Sequence, residues 1–210
     1  MPDGLRGVDV FAGDNDGLPI NWNLVSASGF AFAFCKAAEG NAHIDKQFTY
    51  NWKQTRASGL IRGAYHYLDG DSNGAAQAQH FCAVLAANGG LLADDLPLAL
   101  DLESLGNESA KDLAATAHAF LDAAEATLQR RFTIYTGIYF AGNDGTFGDH
   151  PLWVPRYTNA QDPGCPPGWD SWQFWQTSEG GTVPGISGPC DTDVFHRATV
   201  ADLQAWVAAH

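Results

Sequence analysis

Residues 96–104 read LPLALDLES. The apolar run over 96–100 has the length and composition of a buried strand, yet it ends in two carboxylates, Asp101 and Glu103, with Leu102 between them. Successive residues of a strand point to opposite faces, so the two acids share one face, with Cα atoms roughly 6–7 Å apart. A buried strand that delivers two like charges to the same side sets the fold question and the function question together.

Outward from this stretch, short apolar runs alternate with helical patterns. The expected strands are residues 5–10, 30–36, 62–68, 96–103, 132–136, 152–156, 171–177 and 190–195. The run FAFAFCK alternates large and small residues, as a strand packed on both faces of a parallel sheet does. One helix is expected to stop at Gly59, a good C-cap. Another, over 109–131, carries Leu113, Ala117, Phe120, Leu121, Ala124 and Leu128 at i, i+3, i+4 spacing, with Ser109 as its N-cap. After Thr136 the last three strands are separated by Gly- and Pro-rich loops, and a final helix is expected over 200–209. This order predicts an α/β chain: one catalytic domain over 1–210, a parallel βα barrel whose last strands have lost their helices.

Composition sets limits on partners. The chain of 210 residues has 45% hydrophobic and 12% aromatic residues, enough for a large core. Its formal net charge is −13, from 24 acids against 11 Lys and Arg. Phosphate recognition needs clustered Lys and Arg, so neither nucleic acid nor an anionic membrane is an expected partner. No run of about 18 apolar residues is present, so no membrane span is expected. The first residues, MPDGLRGVDVF, lack the basic-then-apolar pattern of a secretory signal; a removed signal or a phage-type release is expected. Of the four cysteines, Cys82 sits on an apolar helical stripe with Ala78, Phe81 and Leu85. Cys165 and Cys190 flank Gly- and Pro-rich loops and are the expected disulfide pair, although three connectivities are open.

Barrel enzymes do their chemistry at the C-terminal strand ends. By that rule Asp9 at the end of the first strand and Asp191 in the last join Asp101 and Glu103, so four acids from three strands converge on one mouth. Uncompensated acids raise one another's pKa, which suits a site where one must stay protonated to donate. Two chemistries want such a cluster. In glycoside hydrolysis one acid protonates the leaving oxygen while another acts as nucleophile, base or stabiliser. In metal-dependent phosphodiester hydrolysis the four acids, with His66, would hold Mg²⁺ or Ca²⁺. The aromatic content favours sugar: Trp153, Trp169, Trp172 and Trp175 crowd the last strands, with Tyr65, Tyr67, Tyr135 and Tyr157 on or beside others, whereas phosphate would call for Arg or Lys. Trp22 and Trp52 read as core, and His66 as a buried histidine rather than a ligand. A wall-binding module without activity is a third reading, against which the intact Asp101 and Glu103 argue.

The chain resembles glycoside hydrolase family 25, the lysozymes that are N-acetylmuramidases. The resemblance rests on GVDVFAGDNDGLPINW, FAFCKAAEG, GLIRGAYHY, LALDLE, IYTG, PLWVPRY, WQFWQT and VPGISGPCDTDVF, eight stretches in register over some 190 residues. It implies a modified TIM-like (β/α)5(β)3 barrel and cleavage of the β-1,4 bond between N-acetylmuramic acid and N-acetylglucosamine in peptidoglycan. By position it implies Glu103 as general acid, Asp101 as the carboxylate steering the 2-acetamido group, Asp9 and Asp191 as the other active-site acids, and Lys36, Tyr65, Tyr135 and Trp175 along the groove. No cofactor and no metal are expected. A monomer acting on glycan strands at the cell wall is. The chain departs from the family pattern at Phe11, Asn21 and Asp193.

Overall fold

In the computed structural model, residues 4–210 are described. Eight strands close into a barrel: β1 (Leu5–Val10), β2 (Phe32–Glu39), β4 (Ile61–Tyr67), β5 (Ala99–Asp101), β6 (Thr133–Tyr135), β7 (Leu152–Pro155), β8 (Phe174–Gly181) and β9 (Cys190–Phe195), with β1 pairing both β2 and β9. The two-residue β3 (His43–Ile44) adds to the edge of β2. Helices α1 (Trp22–Ala27), α2 (Phe48–Ala57), α3 (Gly74–Ala87) and α4 (Ala110–Leu128) follow β1, β2, β4 and β5. Among the described residues no α-helix separates β6, β7, β8 and β9, and α5 (Val200–Ala208) comes after the last strand.

The expected all-parallel order needs one correction. Neighbouring barrel strands from β1 through β8 run parallel, but β9 is antiparallel to both β8 and β1. A parallel return needs a crossover of a dozen or more residues, and the β8–β9 connection is the short glycine- and proline-rich stretch 182–189. The first residues of β9 therefore lie at the mouth where the other strands end.

Strand alternation splits the apolar side chains into two cores. Outward residues such as Val8, Val10, Leu100, Ile134, Val154 and Trp175 pack beneath the helices and loops. Inward residues Phe32, Phe34, Trp153, Phe174 and Phe195 fill the barrel. The indole of Trp153 stacks on Phe34 with centroids 4.4 Å apart. Two glycines make room for this filling. A Cβ on Gly7 would lie 2.2 Å from the Phe32 ring, and one on Gly63 would lie 2.6 Å from the Phe34 ring. Helix α5 plugs the end opposite the mouth, where Leu203, Trp206 and Val207 join the barrel core. The Trp206 ring meets Phe174 at 5.3 Å and Phe195 at 5.8 Å.

Local signals hold where they were strong. Ser109 caps α4 by accepting from the Asp112 amide, and Trp22 and Trp52 are core. The expected disulfide does not form, because all four cysteines are free. Cys190 opposes Gly181 across the β8–β9 ladder and is buried in the outer core. Cys165 lies instead in the β7–β8 loop, beside Trp169, Trp172 and His196.

Candidate active site

The strand ends build a cleft of about 200 Å³ at the mouth. From β1 comes Asp9, from β2 Lys36, from β4 Tyr65 and Tyr67, from β6 Tyr135, and from β9 Asp191. Asp101 ends β5, and Glu103 follows just beyond the ladder, where the Leu102 amide still donates to the Tyr135 carbonyl at 2.8 Å. The reversal of β9 puts Asp191 at the mouth, directly opposite Asp9 in register. In a parallel strand the same residue would start at the far end of the barrel.

Of the eight residues singled out from sequence, only Trp175 falls outside the cleft. It is fully buried in the outer core, and its Nε1 donates to the Arg156 carbonyl at 2.7 Å. Its neighbours in alternation, Gln176 on β8 and Trp153 on β7, face inward instead. Of the tryptophan cluster, Trp153 alone lines the cleft. Phe11 also lines it and is 45% exposed, so an apolar ring stands open at the rim.

Burial governs the electrostatics. Asp101 is nearly inaccessible, and loss of water raises its carboxyl well above the ordinary Asp value, followed by repulsion from Glu103. Its Oδ1 is buried, and among the described residues no donor reaches it. The Glu103 carboxyl is raised chiefly by desolvation within the cleft. Lys36 pulls both acids back down. Its ammonium donates to Glu39 at 2.7 Å and lies 4.6 Å from the Tyr67 ring centroid.

A second network lies across the cleft. Gln176 Oε1 accepts from the Tyr135 hydroxyl at 2.9 Å and the Tyr157 hydroxyl at 2.8 Å, which orients the amide so that Nε2 donates to Asp9 Oδ2 at 2.8 Å. Burial raises Asp9 well above the usual range, with repulsion from Asp193 and Asp191 adding to it. Asp191 is pushed up to about 6 by burial and by Asp14. Gln176 is the residue that sequence reasoning missed. The only signal for it was an uncharged polar residue directly after the apolar pair Phe174–Trp175.

His66 belongs to neither network. It points outward from β4, hydrogen bonds Gln77 at 3.1 Å and stacks on Phe120, and burial lowers its pKa to about 4. Among the described residues no group of three His, Cys, Asp or Glu side chains is arranged to hold a metal ion.

A family model described as glycosyl hydrolases family 25 matches residues 8–186. An Escherichia coli K12 relative known as uncharacterized protein YegX is 38% identical over 180 residues, covering 84% of this chain. The chain spans 62% of that relative's length. Lysozyme M1 of Streptomyces globisporus is 32% identical, over 92% of this chain and 68% of its own length. A bacterial lysozyme structure from Streptomyces coelicolor superposes with a TM-score of 0.86 at 31% identity, covering 100% of this chain and 99% of that one.

Proposed function

This chain belongs to glycosyl hydrolase family 25, and from that premise and the geometry of its cleft we propose that it is a peptidoglycan muramidase. The reaction is hydrolysis of the β-1,4 bond between N-acetylmuramic acid and N-acetylglucosamine, carried out by a monomer on glycan strands at the bacterial cell wall. The observation that carries the reading is Asp101: a buried carboxylate with one oxygen that no donor among the described residues reaches, two residues from a raised acid at the cleft mouth. The N–H of a substrate 2-acetamido group supplies the missing donor.

In this mechanism Glu103 protonates the leaving glycosidic oxygen. Asp101 accepts from the acetamido N–H and turns the carbonyl oxygen of that group toward the anomeric carbon. The acetamido oxygen attacks, and water opens the ring so formed from the opposite face, retaining the β configuration. Desolvation favours the proton on Glu103 for the first step, and the acetamido N–H donated to Asp101 favours the ionised form of that acid. Asp9, held by Gln176, and Asp191 supply negative charge beside the developing oxocarbenium. Tyr65, Tyr135 and Trp153 give the sugar flat walls with polar edges.

The test is digestion of purified peptidoglycan followed by identification of the new reducing-end sugar. N-acetylmuramic acid at the new ends is expected; N-acetylglucosamine there, or no new ends, overturns the reading.

A further inference from the structure

One buried acid has no part in the mechanism above. Asp193 lies on β9 inside the barrel, opposite Gly7 of β1 and Gln176 of β8. It is 1% exposed. Trp153 Nε1 donates to its Oδ1 at 2.8 Å, while among the described residues no N–H or hydroxyl donor reaches its Oδ2. Gly7 brings no side chain, so the inward neighbour of Asp193 on β1 is Asp9, two residues along the strand; Gln176, opposite Asp193 in register, donates to Asp9, and the two acids repel. An ionised carboxylate only accepts, so two neighbouring carboxyls can be joined only through a proton.

We propose that Asp193 is a positioning residue for Asp9: the two carboxyls share one proton, which fixes Asp9 in the cleft and keeps the pair at a single negative charge. The donor inventory leads there. Gln176 occupies one oxygen of Asp9 and Trp153 one oxygen of Asp193; Asp191 also faces Asp9 but is half-buried and open to water, so the proton bridges Asp9 to the fully buried, donorless oxygen of Asp193. Among the described residues, the charged groups that act on Asp193 are acids, Asp9 from β1 and Asp191 on its own strand; Arg6 of β1 points outward over the Phe30 ring. Trp153 of β7 and Gln176 of β8 are uncharged. Tyr65 of β4 and Tyr135 of β6, edge-on to Trp153, are kept neutral by burial. Lys36 of β2 acts on Asp101 and Glu103, not on this pair. With no cation to offset two buried negative charges, keeping the proton is the cheaper state. Burial, outweighing the Trp153 hydrogen bond, pushes Asp193 up to about 8.

The sign of the linkage follows. The folded chain holds a proton that the unfolded chain releases near the ordinary Asp value, so stability declines as pH rises from about 4 toward 8, by up to tenfold in the unfolding equilibrium per pH unit for one full proton. Asp193→Asn keeps the shape and gives Asp9 a permanent N–H donor. Urea denaturation at pH 5, 7 and 9 should show that decline in the wild type and a flatter profile in Asp193→Asn. Infrared spectra at pH 7 should show a protonated carboxyl band that the variant loses. If the variant does not fold, Trp153→Phe decides: loss of its N–H should carry the decline to higher pH. Equal infrared bands and parallel stability profiles for wild type and Asp193→Asn, or a Trp153→Phe profile shifted to lower pH, overturn the proposal. Only the activity arm rests on the muramidase reading: above pH 8, where the wild-type pair has lost its shared proton, Asp193→Asn should retain a larger share of its pH 5 kcat than the wild type does. An inactive wild-type chain would overturn that reading, while the stability and infrared arms would still decide this one.

Discussion

Asp9 and Asp191 face each other across the antiparallel β1–β9 ladder, although 181 positions separate them along the chain. Both are raised, chiefly by burial. The pair exists because the last strand enters the barrel from the mouth, so that an acid at its start meets an acid near the end of the first strand.

Glu103→Gln should abolish wall lysis and leave the fold intact. The amide is nearly isosteric with the acid but donates no proton to a leaving oxygen, and positioned acid catalysis is worth about 10²–10⁴-fold. A turbidity assay beside a circular dichroism spectrum checks both halves. Near wild-type lysis sinks the assignment of Glu103.

Asp101→Asn should cut kcat severely, because an amide in that place presents either a weaker acceptor or a donor to the acetamido N–H. The first-formed product of the native enzyme should be the β anomer, as NMR of a fresh digest reads directly. A purely α product would remove the substrate-assisted route while leaving the muramidase reading standing.

The pH profile should report the raised Glu103. Glu103 must carry its proton to act, and desolvation holds that proton above the roughly 4.3 of a free Glu, so activity should persist into mildly acidic to neutral solution and fall as the carboxyl ionises. Lys36→Met removes the cation that lowers both Glu103 and Asp101. Its alkaline limb should therefore move to higher pH. A downward move would contradict the electrostatics described here.

Thiol titration of the denatured, unreduced protein should count four cysteines. Adding reductant should leave the melting temperature unchanged. A count of two would restore the disulfide expected from the loop composition around Cys165 and Cys190.

Asp95→Ala should destabilise the fold by about 3–5 kcal/mol. Asp95 is fully buried and receives Arg62 Nε at 2.8 Å and Nη2 at 3.1 Å, with the Arg62 guanidinium 3.7 Å from the Trp52 ring centroid. Truncation leaves a buried guanidinium without its counter-ion. Urea denaturation measures the loss, and because the pair lies outside the cleft, activity per folded molecule should be retained.

The alternation in LPLALDLES was enough to put Asp101 and Glu103 on one face, and the resemblance carried by the eight stretches was enough for the family. These readings succeed because strand parity and short-range pattern are local properties of the chain. Parity alone, however, does not say which face of a strand is the barrel interior when both faces are buried. Trp153 and Trp175 look equivalent in the sequence, yet β7 turns one into the cleft and β8 turns the other into the outer core. The direction of β9, the proximity of Asp193 to Asp9 and the desolvation that raises Glu103 likewise waited on the tertiary structure. They depend on which strands hydrogen bond across long stretches of chain and on how much water the closed barrel excludes, and neither is a property of any local run of residues.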